Sequence, residues 1–137
     1  MKEGFMVVKK VTLSSDYQSL VDVEGLVDSV CEEFGVQADA FGNVLIAVSE
    51  AVNNAIQHGN KENVAAKVYL QVATDSTHFC IQVKDEGGGF AFQDLPDPTA
   101  PENLLKDSGR GVFLMKNLAD EVEFIHSGNT VNLYFHK

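Results

Sequence analysis

Glu50 and Asn54 stand four positions apart in NVLIAVSEAVNNAIQH, residues 43–58. In a helix that spacing brings a carboxylate and an amide together one turn apart. At about 100° per residue, Asn43, Glu50, Asn54, Gln57 and His58 fall within roughly 60° of one line, and the remaining positions are almost all apolar. Such a ridge can hold a cation, a water or a phosphate-bound metal. It is equally what a buried hydrogen-bonded pair, or a rim touching solvent, looks like. Further on, Asp85 precedes Gly87, Gly88 and Gly89. An acid at a strand end can accept a hydrogen bond from an amine, such as the exocyclic NH2 of a base. Glycines just beyond it let backbone approach a flat ligand where a β-carbon would clash. A second glycine pair, Gly109-Arg110-Gly111, opens a helix from Val112. N–H groups at a helix N-terminus bind phosphate, and Arg110 adds positive charge there. Taken singly, each glycine cluster is also an ordinary tight turn.

These groups need elements to position them. FMVVKKVTL, residues 5–13, reads as a strand. Ser15 with Gln18 has the spacing of a capping box. Leu20, Val23, Leu26, Val27, Val30, Cys31 and Phe34 then recur as one helical face, stopped at Gly35. Asp39 is placed to cap a second helix that runs to about His58 and ends at Gly59. Residues 66–73 and 78–84 alternate apolar and polar as paired strands joined by TDST. Residues 90–108, with Pro96, Pro98 and Pro101, form the one long irregular stretch, and such stretches in small domains are commonly functional lids. Residues 111–119 return to helix, and 122–126 with 130–136 form a final hairpin around Ser127-Gly128-Asn129. Strands grouped as hairpins predict a two-layer α/β sandwich: a mixed, mostly antiparallel sheet with helices on one face. The second central strand places Asp85 beside the polar ridge of the second helix.

A length of 137 residues suits a single domain spanning 1–137, and 45% hydrophobic residues suffice for a packed core. Twenty acids against ten bases give a net charge of -10, which argues against direct nucleic-acid binding. No apolar run is long enough to span a membrane and MKEGFMVVKK lacks a signal-peptide core, so a cytoplasmic location is expected. Cys31 and Cys80 have no CxxC or zinc spacing and read as free thiols packed as small hydrophobes. No GxxxxGK[ST] or strand-linked GxGxxG occurs. An acidic domain that holds a phosphate compound needs a cation, and Asn54 is a neutral oxygen donor suited to Mg²⁺.

Glu50 to Gly59 (EAVNNAIQHG) resembles the N-box of the GHKL ATPase superfamily. Asp85-x-Gly87-x-Gly89-Phe90 resembles its G1 box, and Gly109-Arg110-Gly111 its G2 box. The resemblance covers nearly the whole chain and is nearest to the stand-alone bacterial anti-sigma-factor serine kinases. It implies the Bergerat, or histidine-kinase-like ATPase, fold, with an ATP lid at about 90–108. It implies that Asn54 coordinates Mg²⁺ on the ATP phosphates and that Asp85 accepts from the adenine amino group, supported by Thr130 through water. Gly87, Gly89 and Phe90 give room at the base, and Gly109, Arg110, Gly111 and Val112 close on the phosphates. Glu50 is implied as general base toward an incoming hydroxyl or water. His58 is a common N-box residue, though a capping or packing histidine is the alternative. The family often carries an acid directly after the G1 phenylalanine; here that position is Ala91, and Asp94 is the nearest acid.

By the same resemblance, the chain is an ATP-dependent serine kinase that inhibits a sigma factor and phosphorylates a STAS-type anti-anti-sigma protein, acting as a homodimer with ATP/ADP and Mg²⁺. The alternative is an interaction module that binds nucleotide and switches a regulatory partner without phosphoryl transfer. A sensor histidine kinase catalytic domain is disfavoured, because the sequence shows no dimerisation helix bearing a phospho-acceptor histidine.

Overall fold

Val68, Leu70 and Val72 point one way along Lys67–Thr74 (β2), as do Phe79, Ile81 and Val83 along His78–Lys84 (β3), and all six are buried. That period of two builds one apolar sheet face. The computed structural model describes residues 1–16, 18–60, 65–87, 107–125 and 129–137, without the side chains of 58, 59 and 107–109. Met6–Ser14 (β1), Glu121–Ile125 (β4) and Thr130–His136 (β5) complete a five-stranded sheet in the order β1-β2-β3-β5-β4. Every pairing in it is antiparallel.

Ser19–Glu33 (α1), Ala38–Asn54 (α2) and Asp107–Leu118 (α3) supply the opposing layer. Val23, Val27 and Val30 from α1, Val44, Val48 and Val52 from α2, and Met115 from α3 bury against Leu70, Ile81 and Leu133. Phe79 stacks between Phe34 and Phe135, with ring centroids 5.3 Å apart on each side. Removing such a fully buried aromatic ring costs about 3–5 kcal/mol. The expected two-layer sandwich is therefore present, with the helices on one face. On the other face Ala73, Cys80 and Tyr134 are covered by Met1 and Phe5. Both cysteines are free and buried, as their spacing suggested. Burial pushes the Cys80 thiol up to about 12, so it is inert near neutral pH.

Several boundaries differ from the sequence expectation. Ser15 and Gln18 form no capping box: α1 begins at Ser19 with no side-chain cap. The Ser15 hydroxyl instead accepts from Asn60, and the Ser19 hydroxyl donates to the Ser14 carbonyl at 2.6 Å. Asp39 does not cap α2. It lies in the first turn, where its negative charge interacts favourably with the positive end of the helix dipole. The last turn of the N-box helix, Ala55–Gly59, is π-helical and closes with the Asn60 N–H on the Ala55 carbonyl at 2.8 Å. The third helix starts at Asp107, so Gly109 and Gly111 lie within its opening turns and do not precede it. Of the lid expected at about 90–108, residues 107 and 108 belong instead to α3, and 90–106, with Ala91 and Asp94, lie outside the described residues, as do 126–128 of the last hairpin turn. Among the described residues no helix is long and apolar enough to cross a membrane.

Candidate functional site

The site forms where the end of α2, the end of β3 and the start of α3 meet. A small pocket forms there, with a cavity volume of about 10 Å³, room for roughly one water. Its apolar walls are Ala51, Ala55, Val83, Met115, Phe124 and Val131, and its polar groups are Asn54, Asp85 and Asn129. The pocket is small as it stands, but its lining, apolar walls with a carboxylate at one side, has the chemistry that suits a heteroaromatic ring carrying an amine.

Asp85 sits one residue past β3 and is buried. Its N–H donates to the Asn129 carbonyl at 2.9 Å, and its Oδ1 accepts the Gly87 N–H at 2.8 Å. Burial pushes the carboxyl above the usual aspartate range, and the Gly87 N–H pulls part of the way back. A carboxylate in that state gains from any further donor that enters the cleft.

Asn54, the last residue of α2, is buried, and its Nδ2 has no hydrogen-bond partner among the described residues. An unpaired amide nitrogen in an interior costs free energy of order 1–3 kcal/mol, so the site is built to receive a polar ligand atom. Half-buried Glu50 lies one turn earlier on the same ridge. Gly111 of α3 packs directly on both: a β-carbon there would meet Glu50 Oε2 at 3.0 Å and Asn54 Oδ1 at 3.3 Å. Among the described residues no cluster of three His, Cys, Asp or Glu could hold a metal by itself. Mg²⁺ fits this donor set only when phosphate oxygens and waters complete its shell, its usual preference.

The sequence of 13–135 matches the family described as the histidine kinase-like ATPase domain. The chain belongs to the histidine kinase-like ATPase domain family. It is 32% identical over 142 residues to the serine-protein kinase RsbW of Staphylococcus aureus strains JH9 and Newman, covering 96% of this chain and 86% of theirs. Its fold is similar to the crystal structure of the RsbU and RsbW domains of Rv1364c from Mycobacterium tuberculosis. The TM-score is 0.63 at 16% identity, over 94% of this chain and 32% of that one.

Placed on this family's fold, the residues singled out from sequence divide into groups. Asn54 and Asp85 line one cleft, Gly87 holds the Asp85 carboxylate, and Glu50 and Gly111 meet beside Asn54. Thr130 is buried one step from Asp85 across the β3–β5 register, with its hydroxyl on Asn129 Oδ1 at 3.1 Å. Gly109 lies in the first turn of α3, and Arg110 is exposed beside it. Val112 packs into the core and does not line the cleft. His58 lies in the π turn, and its side chain is not among those described. Gly89 and Phe90 lie outside the described residues.

Sequence reasoning missed the cleft walls Met115, Phe124 and Asn129, and it missed Asn60. Met115 and Phe124 read as ordinary core positions in their elements. Asn129 read as a turn residue. Asn60 directly follows the N-box, and its being polar beside the helix-ending Gly59 was the available signal.

Proposed function

We propose that this chain is an ATP-dependent serine protein kinase that binds and inhibits a sigma factor and phosphorylates a STAS-type anti-anti-sigma antagonist. One observation carries the reading most directly: a single cleft holds Asp85 at one side and an orphaned Asn54 amide at the other, with Glu50 beside it. The 32% identity to a serine-protein kinase over nearly the whole chain supports the reaction class.

In this reading adenine enters the apolar slot between Met115, Phe124 and Val83, and its amino group donates to Asp85. The Asn54 amide oxygen would hold Mg²⁺ at the phosphate end, and the ion would supply neutralisation of charge on the phosphates. The helix dipole of α3 points its positive end toward the same oxygens. Glu50 takes the proton from the partner's serine hydroxyl as that oxygen attacks the γ-phosphorus. The bond from the γ-phosphorus to the ADP oxygen breaks, leaving phosphoserine and ADP. Positioning and charge neutralisation supply most of the acceleration in such transfers. The protein works in the cytoplasm as a homodimer. Exposed Met6, Val7 and Val8 on the outer strand β1 provide apolar surface that a second copy would cover.

Calorimetric titration with ATP and ADP, with and without Mg²⁺, beside Asn54→Ala, tests the nucleotide site. Incubation with a STAS-domain protein and ATP, read by mass spectrometry, tests the transfer. Mg²⁺-dependent binding lost in Asn54→Ala, with one phosphate added to a partner serine, is expected. Bound ATP that stays intact for hours beside such a partner would leave a nucleotide-binding switch without transfer. No binding of either nucleotide would end the kinase reading.

A further inference from the structure

We infer that Asn60 is a positioning residue that sets the direction of the Asp85 carboxylate, and so contributes to selection of an amine-bearing base. The inference rests on the reading of the cleft as an ATP site. Asn60 is buried and lies directly after the π turn that extends the Asn54 helix. Its Nδ2 donates to the Ser15 hydroxyl at 2.7 Å and to the Lys67 carbonyl at 2.9 Å, and its Oδ1 accepts the Glu86 N–H at 2.8 Å. The amide orientation is unambiguous, because a backbone N–H can only donate and a carbonyl can only accept.

Asp85 thereby sits between two pinned peptides. The peptide before it is held by its own N–H on the Asn129 carbonyl. The peptide after it is held by the Glu86 N–H on Asn60 Oδ1. With both flanking peptides fixed, the backbone dihedrals at Asp85 are fixed, and with them the direction of its Cα–Cβ bond, from which the Gly87 N–H on Oδ1 sets the carboxylate. The Glu86 side chain repeats the clamp from outside, accepting the Lys67 N–H and the Tyr69 hydroxyl at 2.8 Å each. Asn60 thus joins the end of the helix bearing Asn54 to the strand end bearing Asp85. It touches no part of the cleft itself and acts through Asp85.

The test compares affinity for ATP with affinity for purine riboside triphosphate, which lacks the amino group at position 6, in the parent chain, Asn60→Ala and Asn60→Asp. Thermal unfolding is followed in parallel. A hydrogen bond to a charged group makes the parent prefer ATP by about tenfold or more. Asn60→Ala is expected to bring that ratio close to one while both triphosphates still bind through their phosphates. Asn60→Asp keeps the acceptor for the Glu86 N–H and is expected to retain most of the preference. If Asn60→Ala does not fold, Asn60→Ser, whose shorter side chain cannot span to Glu86, reads the same ratio. A parent that discriminates beside an Asn60→Ala that discriminates equally, however destabilised, overturns the role of Asn60. A parent that binds both triphosphates equally overturns the assignment of adenine to Asp85, and this proposal with it.

Discussion

Gly111 lies against Glu50: a β-carbon on the glycine would stand 3.0 Å from the Glu50 Oε2. Asn54 lies just beyond, with its Oδ1 at 3.3 Å from the same point. The opening of α3 therefore closes directly on the polar ridge of α2, and the missing side chain at 111 is what allows that approach. A G2 glycine is usually read as freedom for a phosphate loop. Here it lies inside a helix, where its value is space beside the carboxylate and not backbone freedom.

Gly111→Ala follows from that contact. Alanine is favoured over glycine in a helix by about 1 kcal/mol, so the fold should hold or gain slightly. The new methyl group must displace the Glu50 carboxylate by a few tenths of an ångström, which its flexible side chain permits. Misplacing a reacting group lowers turnover steeply. We expect an unchanged or higher Tm, ATP affinity within a few-fold of the parent, and serine phosphorylation reduced about tenfold or more. A parent rate in Gly111→Ala would show that the position of Glu50 does not limit transfer.

Glu50→Gln separates binding from chemistry. Glutamine keeps the shape and cannot take the serine proton, so nucleotide affinity should change little while transfer falls by about 10²–10⁴-fold. Single-turnover phosphorylation of the STAS partner reads the chemical step. If it proceeds at the parent rate, Glu50 is not the base.

The fold was legible because its signals are periodic. Alternation in 66–73 and 78–84 and the apolar face of 20–34 mark elements that the core then enforces. What stayed hidden depends on contacts distant in sequence. Ser15 looked like a helix cap, but a buried Asn60, 45 residues away, takes its hydroxyl, and the helix starts at Ser19. Gly109-Arg110-Gly111 read as the opening of a helix that runs on from Val112, since glycine is the poorest helix former after proline. Packing on Glu50 and Asn54 overrides that propensity and starts α3 at Asp107. The polar members of the site, Glu50, Asn54 and Asp85, were readable because such groups on apolar elements need a reason. Its apolar walls, Met115 and Phe124, were not, because nothing in sequence separates a ligand slot from a core.

Asp85 gives a pH dependence. Burial first, opposed by the Gly87 N–H, raises its folded pKa above the unfolded value. Its contribution to stability is therefore full below the ordinary aspartate pKa and is lost as pH rises through the raised value. The adenine amine favours the charged form, so binding releases a proton, and ATP affinity should weaken as pH falls through that same window. Asp85→Asn should show a higher Tm than the parent at neutral pH, together with ATP affinity lowered about tenfold or more. Titration across the acidic range, in buffers of different ionisation enthalpy, measures the released proton. A parent affinity that is flat with pH would place the amine elsewhere.

On the opposite sheet face, Glu123 has the reverse sign. Asn132 Nδ2 donates to its Oε1 at 2.7 Å and the Tyr134 hydroxyl at 3.1 Å, and Asn132 Oδ1 accepts from Gln82. The Asn132 bond foremost, with help from Tyr134 and against partial burial, holds the Glu123 carboxyl below the usual range. That stability is present above the ordinary glutamate pKa and lost as pH falls through the depressed one. Glu123→Gln should cost about 1 kcal/mol at neutral pH, the usual net worth of such hydrogen bonds. The gap from the parent should narrow in acid, as seen in denaturant midpoints. Nucleotide affinity should not change, since Glu123 is not in the cleft lining.

Oligomeric state can be tested at β1. Met6, Val7 and Val8 are 71%, 41% and 48% exposed on the outermost strand. The register slips between Val7 and Lys9, so Val8 stands in a bulge. Bulges and lysines guard edge strands against open-ended pairing, and Lys9 and Lys10 follow at once. Such an edge resists runaway assembly but still leaves an apolar patch for one closed, self-complementary contact. Replacing Met6 and Val8 by lysine puts like charges across any two-fold contact there. By sedimentation equilibrium the parent chain is expected to be a dimer and the double variant a monomer, with ATP affinity the same in both. A parent chain that sediments as a monomer at cellular concentrations would remove the dimer from the mechanism. A dimer that survives both lysines would place its interface on another face of the molecule.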